Sequence, residues 1–164
     1  MSRAAGYFTL TILALIGIGT APASPDAPAI SATELRDWQV KNNDLTLFDA
    51  RNKKSFDSTH IQGAVLPLAE DFYLREELYQ KGLSPVAPDP ETALTDAMKA
   101  YPKDKPIVTY CNRDCQASVI LAQQLRALGF KNVRYLQDGL QGWEEKGYPV
   151  TVGAPRLSSG SLGE

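Results

Sequence analysis

Ile107-Val108-Thr109-Tyr110-Cys111-Asn112-Arg113-Asp114-Cys115-Gln116-Ala117-Ser118 decides the reading of this chain. An apolar run leads into a cysteine, a short polar loop follows, and an amphipathic stretch begins directly after it. The order strand, cysteine, loop, helix places a thiol before the unpaired backbone N–H groups and the positive dipole end of a helix. Such a setting favours the thiolate, which is the reactive form of cysteine. Both cysteines of the chain lie in this loop.

Outward from the loop, Ala117 to Leu128 is the clearest helix. Val119, Ile120, Leu121, Leu125 and Leu128 line its apolar side, and Gly129 is a natural C-terminal cap. Toward the N-terminus, Ser31 with Glu34 forms a capping box for a short helix carrying Leu35, Trp38 and Val40. Leu45 to Phe48 and Ala64 to Leu68 are short apolar runs, and Ile107 to Tyr110 and Val133 to Leu136 are strand candidates. Asp71 to Gln80 has helical character, and Gly82 to Pro90 is Pro-rich loop. Pro90 then opens a helix over Ala93, Leu94, Ala97 and Met98. Leu140 to Lys146, with Trp143, forms a last helix closed by Gly147. Strands alternating with helices predict an α/β fold, a parallel sheet covered on both faces. In such sheets the working loops gather at the carboxyl ends of the strands, where Cys111 falls.

The ends read differently. Arg3, the apolar run Tyr7 to Ile18 and the small-x-small triplet Ala21-Pro22-Ala23 form a signal-peptide pattern over residues 1–23, with cleavage after Ala23. Residues 24–30 are a Pro-rich extended lead-in, residues 31–150 the folded domain, and 151–164 a Gly- and Ser-rich tail expected to be disordered. Removing Arg3 with the signal leaves 16 basic against 19 acidic residues, a net charge of −3. That balance argues against nucleic acid or an anionic membrane surface as the main partner, because either normally demands a basic patch. Export also places the thiol pair in an oxidising compartment, the periplasm or the exterior.

Taken together, these pieces resemble the rhodanese-like domains. The resemblance runs from about Ser31 to Val150. It rests on Asp49-Ala50-Arg51, on Phe56 with His60-Ile61-Gln62-Gly63-Ala64, on the strand, cysteine, loop and helix at 107–128, on Gly129-Phe130-Lys131-Asn132-Val133, and on Asp138-Gly139-Leu140-Gln141-Gly142-Trp143 with Gly147-Tyr148-Pro149-Val150. It implies a five-stranded parallel sheet between helices and a sulfurtransferase chemistry without metal or organic cofactor. In that chemistry Cys111 attacks the outer sulfur of a donor such as thiosulfate or a persulfide, holds it as a persulfide, and passes it to cyanide or a thiol. The N–H groups of residues 112–117 would cradle the sulfur's charge, as an anion nest does. Cys-x-Arg-Asp-Cys is also similar to a narrower group of exported rhodanese-like proteins associated with pyrroloquinoline-quinone-dependent alcohol catabolism, in which Trp usually follows the second cysteine. Here Gln116 follows it.

The loop departs from the family pattern Cys-x-x-Gly-x-Arg-Ser/Thr at Asp114, Gln116 and Ala117. A carboxylate near the thiol raises its pKa and repels a dianionic donor, and the loss of the Arg removes a cationic contact. Arg113 is the residue that can compensate. A related branch of the fold hydrolyses oxyanions with an arginine six positions after the cysteine. Ala117 stands there, which argues against phosphocysteine chemistry.

Several side chains carry more than one reading. Cys115 is a resolving thiol for Cys111, a partner in a structural disulfide, or a small loop residue. His60 is read as hydrogen-bonded scaffold rather than base, Asp49 with Arg51 as a buried scaffold pair, and Trp38 and Trp143 as core anchors. Two cysteines and one distant histidine do not complete a tetrahedral zinc site. Beside sulfur transfer stand two alternatives: a thiol-disulfide protein using Cys111 and Cys115, and a catalytically silent module. The module would meet a periplasmic protein partner through the 69–90 insertion, with Phe72, Tyr73, Leu78 and Tyr79 as candidates for the surface.

Overall fold

The computed structural model describes residues 26–41 and 44–153. The signal-peptide expectation at 1–23 and the tail from 154 onward lie outside the described residues.

The centre is a four-stranded sheet, all parallel, in the order β1 (Ala29–Ile30), β5 (Val133–Leu136), β4 (Ile107–Tyr110), β2 (Thr46–Asp49). β4 therefore lies in the interior, and all four of its residues are buried. Alternation along the strands sends side chains to opposite faces. Leu47, Val108, Tyr110 and Leu136 meet Leu35 of α1 (Ala32–Lys41) and Leu140 and Trp143 of α6 (Gly139–Glu145). Phe48, Ile107 and Val133 meet Leu94 of α4 (Pro90–Ala97) and Leu121, Ala122 and Leu125 of α5 (Ala117–Ala127). The α/β architecture with helices on both faces is as the sequence predicts.

A fifth strand is reduced to one residue. Val65 forms an isolated parallel bridge with Phe48, its N–H donating to the Leu47 carbonyl and its carbonyl accepting from Asp49 N–H. Val65 is 45% exposed, and Pro67, which has no N–H to give, follows two residues later. The run Ala64 to Leu68 thus cannot extend the ladder.

Two boundaries move. The lead-in is not all free chain: Ala29 and Ile30 form β1, and Ile30 is buried, with Tyr135 N–H donating to the Pro28 carbonyl. A proline can serve an edge strand as an acceptor, and composition concealed that. At the other end Val150–Val152 forms β6, antiparallel to β3 (Thr59–Ile61), so Thr151 and Val152 belong to the ordered ribbon rather than to the tail. Val-Thr-Val is a strongly β-prone triplet, and Gly153 N–H donating to the Ser58 carbonyl closes it.

Side-chain caps explain three of the six α-helix starts among the described residues. The Ser31/Glu34 capping box is formed in both directions, at 3.2 and 3.0 Å. Asp89 caps α4 through Glu91 N–H, with Pro90 at the first position. Asn52 caps α2 (Lys53–Ser58) through Ser55 N–H. The 69–90 insertion contains α3 (Glu70–Gln80), whose Phe72 and Tyr73 are buried as an edge-to-face pair. Leu74, Tyr79, Leu83 and Val86 of the insertion are exposed. Val40 is exposed as well, because five residues after Leu35 it has rotated off the buried face of α1.

Candidate functional site

Cys111 is the first residue after β4, and only 1% of its surface is exposed. Three elements fix it. The Thr109 hydroxyl donates to the Ser118 carbonyl at 2.7 Å, joining the strand to the first turn of α5. Leu140 N–H donates to the Cys111 carbonyl at 2.8 Å, joining the loop to the start of α6. Gly139, at φ +57, sits so close that a Cβ there would stand 2.5 Å from the Cys111 carbonyl oxygen and 2.7 Å from Arg113 N. Any side chain at 139 would push the loop off its seat. The sequence placed Gly139 in a resemblance segment but not in the site; its only signal was the Asp-Gly pair opening a helix.

The loop turns at Asp114, which at φ +62 is the single non-glycine residue in left-handed backbone among the described residues. Aspartate tolerates that region better than most side chains, so the shape a glycine usually supplies is retained. Arg113 is engaged by α6. Its guanidinium makes a two-pronged ion pair with Glu145, at 2.9 and 2.6 Å, and its N–H donates to Gln141 Oε1. Glu145 is held below its usual carboxylate range by that pairing. Arg113 therefore does not replace the arginine missing at Gln116. Asn112, Asp114 and Gln116 are exposed on the loop's outer side, and Ala117 is half-buried.

Around the sulfur, the Cys111 thiol faces the Cys115 carbonyl at 2.9 Å and the Asn112 carbonyl at 3.4 Å, with the Ser118 hydroxyl at 3.3 Å. Burial, followed by a hydrogen bond with the Cys115 thiol, pushes the Cys111 thiol up to about 11, against a smaller lowering by the Ser118 hydroxyl and N–H. The expectation of a thiolate at rest is thus corrected. Carbonyls rather than a ring of N–H groups meet the sulfur, and the rise comes from burial and Cys115 rather than from the Asp114 carboxylate. Gln116 offers no side-chain cap to α5, so the first turn of that helix keeps N–H groups unclaimed by a capping side chain. The two cysteines are free thiols, Cys111 buried and Cys115 half-buried.

One strand away, Asp49 and Arg51 form a close ion pair at 2.7 Å, with side-chain exposures of 0% and 7%. The Tyr110 hydroxyl donates to Asp49 Oδ2 at 2.7 Å and accepts from Ile61 N–H at 3.1 Å. Burial and then the Asp49 charge hold Tyr110 protonated, far above its ordinary range. Tyr110 is the member of this cluster that the sequence did not reveal. His60 lies in β3, stacked on Phe56 at 3.9 Å, its Nδ1 2.8 Å from the Phe56 carbonyl. Trp143 is fully buried and donates from Nε1 to the Pro149 carbonyl at 3.0 Å. Neither His60 nor Trp143 hydrogen-bonds Cys111, and Ala50 N–H donating to the Tyr110 carbonyl ties this cluster to the base of the loop.

The model of the rhodanese-like domain family matches residues 31–146. The chain belongs to the rhodanese-like domain family. Among curated proteins it is 28% identical over 123 residues to the "Probable adenylyltransferase/sulfurtransferase MoeZ" of Mycobacterium tuberculosis, a match covering 75% of this chain and 26% of that protein. The chain thus spans about a quarter of the length of the curated relatives it matches. Among solved structures, the rhodanese-like domain of the Alr3790 protein from Anabaena superposes with a TM-score of 0.57 at 21% identity, over 84% of this chain and 87% of that one. The 3-mercaptopyruvate sulfotransferase SseA of Escherichia coli superposes with a TM-score of 0.54 at 21% identity, over 78% of this chain and 52% of that one. At these identities the structural likeness establishes the fold.

Proposed function

We propose that this rhodanese-like domain is an exported sulfurtransferase that carries a sulfane sulfur on Cys111. The observation that carries the reading is the position of Cys111: at the carboxyl end of an interior parallel strand, against an α5 first turn without a side-chain cap, with the Ser118 hydroxyl 3.3 Å from the sulfur. Membership of the rhodanese-like family and the kinship with a sulfurtransferase support it.

In the first half-reaction the Cys111 thiolate attacks the outer sulfur of thiosulfate or a persulfide. A Cys111–S–S bond forms, the donor's S–S bond breaks, and the electron pair leaves on sulfite or on the donor thiol. In the second, cyanide or a thiol takes the outer sulfur and the Cys111 thiolate returns. No net oxidation occurs, so no redox cofactor is required. The negative charge on the terminal sulfur of the persulfide is what the N–H groups of the α5 first turn can receive. Export to the periplasm rests on Arg3, the run Tyr7 to Ile18 and Ala21-Pro22-Ala23.

Intact mass before and after thiosulfate tests the reading. Wild type gains one reductant-sensitive sulfur, about 32 Da, and Cys111→Ser gains none. A gain that persists in Cys111→Ser sinks the proposal. The closeness of Cys115, whose carbonyl lies 2.9 Å from the Cys111 sulfur, favours one second reading, a thiol-disulfide couple. Its signature is a loss of about 2 Da on oxidation with no sulfur gained.

A further inference from the structure

We propose that Cys115 is a second sulfur carrier, which takes the sulfane sulfur from Cys111 and presents it to acceptor thiols too large to reach Cys111. The inference rests on the sulfurtransferase reading and assigns a route within it.

Three observations carry it. Cys111 is 1% exposed, so a small donor that enters the loop can meet it but a peptide-sized thiol cannot. Cys115 is half-buried on the same loop, so it is the more solvent-accessible residue of the two. The Cys111 sulfur lies 2.9 Å from the Cys115 backbone carbonyl, so the two cysteines adjoin across the loop. The left-handed turn at Asp114 folds the chain back so that residues four apart meet. One sulfur is therefore placed for reception and the other for delivery.

The transfer balances without an oxidant. The Cys115 sulfur attacks the outer sulfur of Cys111–S–SH, and a bond forms between them. The Cys111–S bond breaks, its electron pair staying on Cys111 Sγ, and the Cys115 proton passes to that sulfur. The products are Cys111–SH and Cys115–S–SH. A buried thiolate is a poor leaving group, since exchange slows as the leaving thiol becomes more basic. Passage of the Cys115 proton to the departing sulfur meets that difficulty, because the group then leaves as a thiol. Attack on the inner sulfur would instead yield a Cys111–Cys115 disulfide and free sulfide, which is a different outcome in mass.

The test loads the protein with thiosulfate, traps persulfides by alkylation, and maps the extra sulfur by peptide mass spectrometry. It then compares transfer to cyanide, a small acceptor, with transfer to a short cysteine-containing peptide. Wild type should show the sulfur on both cysteines. In Cys115→Ser the sulfur should reside on Cys111 alone, and the ratio of peptide to cyanide transfer rates should fall about tenfold or more. That ratio separates a relay from a general loosening of the loop, which would slow both acceptors together. The relay is overturned if wild-type sulfur is found only on Cys111 and the ratio is the same in Cys115→Ser. Release of sulfide with a disulfide between the two cysteines also overturns it. A wild type that never gains sulfur removes the sulfurtransferase reading itself, so the two failures are distinguishable.

Discussion

Tyr110 and Cys111 are neighbours in sequence, yet their side chains stand in opposite kinds of polar surroundings. Tyr110 joins a closed network: its hydroxyl donates to Asp49 and accepts from Ile61 N–H, and Asp49 receives Arg51 through both side chain and backbone. Cys111 has weak and partly mismatched company, two carbonyls and a hydroxyl. The first cluster is built of strong, charge-assisted hydrogen bonds and holds β2, β3 and β4 together at their working end. The second holds its central atom neutral and loosely paired, so little interaction has to be broken when the sulfur reacts. A rigid, satisfied frame beside an under-committed sulfur is an arrangement suited to covalent transfer.

The sharpest way to break that comparison is to unpair the frame. Asp49→Ala leaves the Arg51 guanidinium buried without its partner and the Tyr110 hydroxyl without its acceptor. Removing one member of a buried ion pair costs about 3–5 kcal/mol. The midpoint of urea unfolding should fall accordingly, and a loss below about 1 kcal/mol would show the network to be ornamental. A second measurement probes the sulfur. With burial holding the Cys111 thiol above its ordinary range, the thiolate is a small minority at neutral pH. The rate of sulfur loading from thiosulfate should rise about tenfold per pH unit from 7 toward 10, because the reactive thiolate fraction grows with each proton removed. A rate that is flat over that range would mean a thiolate already formed, contrary to the buried thiol seen here.

The difference between the two clusters also explains what the sequence revealed. The loop from Cys111 to Ala117 is contiguous, so its members are together in space by necessity, and the strand before it and helix after it are fixed by periodicity. Asp49 and Arg51 are two apart and equally easy to pair. Tyr110 was hidden, because its partners are 61 and 49 residues away and nothing in a strand pattern says which hydroxyl meets which carboxylate. Gly139 and Glu145 were hidden for the same reason, since the seating of α6 on the loop is a tertiary contact between segments about 30 residues apart. The sign of the effect on the thiol was also beyond reach. A helix start predicts N–H groups at the sulfur, whereas the rotation of the loop decides whether N–H groups or carbonyls face it. β1 and β6 were hidden by composition, as a proline-rich approach and a glycine-rich exit mask short runs that pair well.

The finest test asks whether the charge layout of the loop's rim sets donor preference. Arg113 is the cation nearest in sequence to Cys111, and Glu145 holds it against α6. Glu145→Gln removes the anion that draws it there while keeping the side chain's size. With Asp114 and Asp138 as its remaining acidic neighbours, the guanidinium is then free to sample the loop's mouth, where a dianionic donor approaches. Thiosulfate loading should rise about two- to threefold at low salt, and the gain should shrink at about 1 M salt, where charges are screened within about 3 Å. The unfolding midpoint should stay put, because an exposed ion pair contributes little to stability. Adding Arg113→Ala should erase the gain. If Glu145→Gln loads no faster than wild type at low salt, the rim's charges do not select the donor, and the preference lies in the buried surroundings of Cys111 alone.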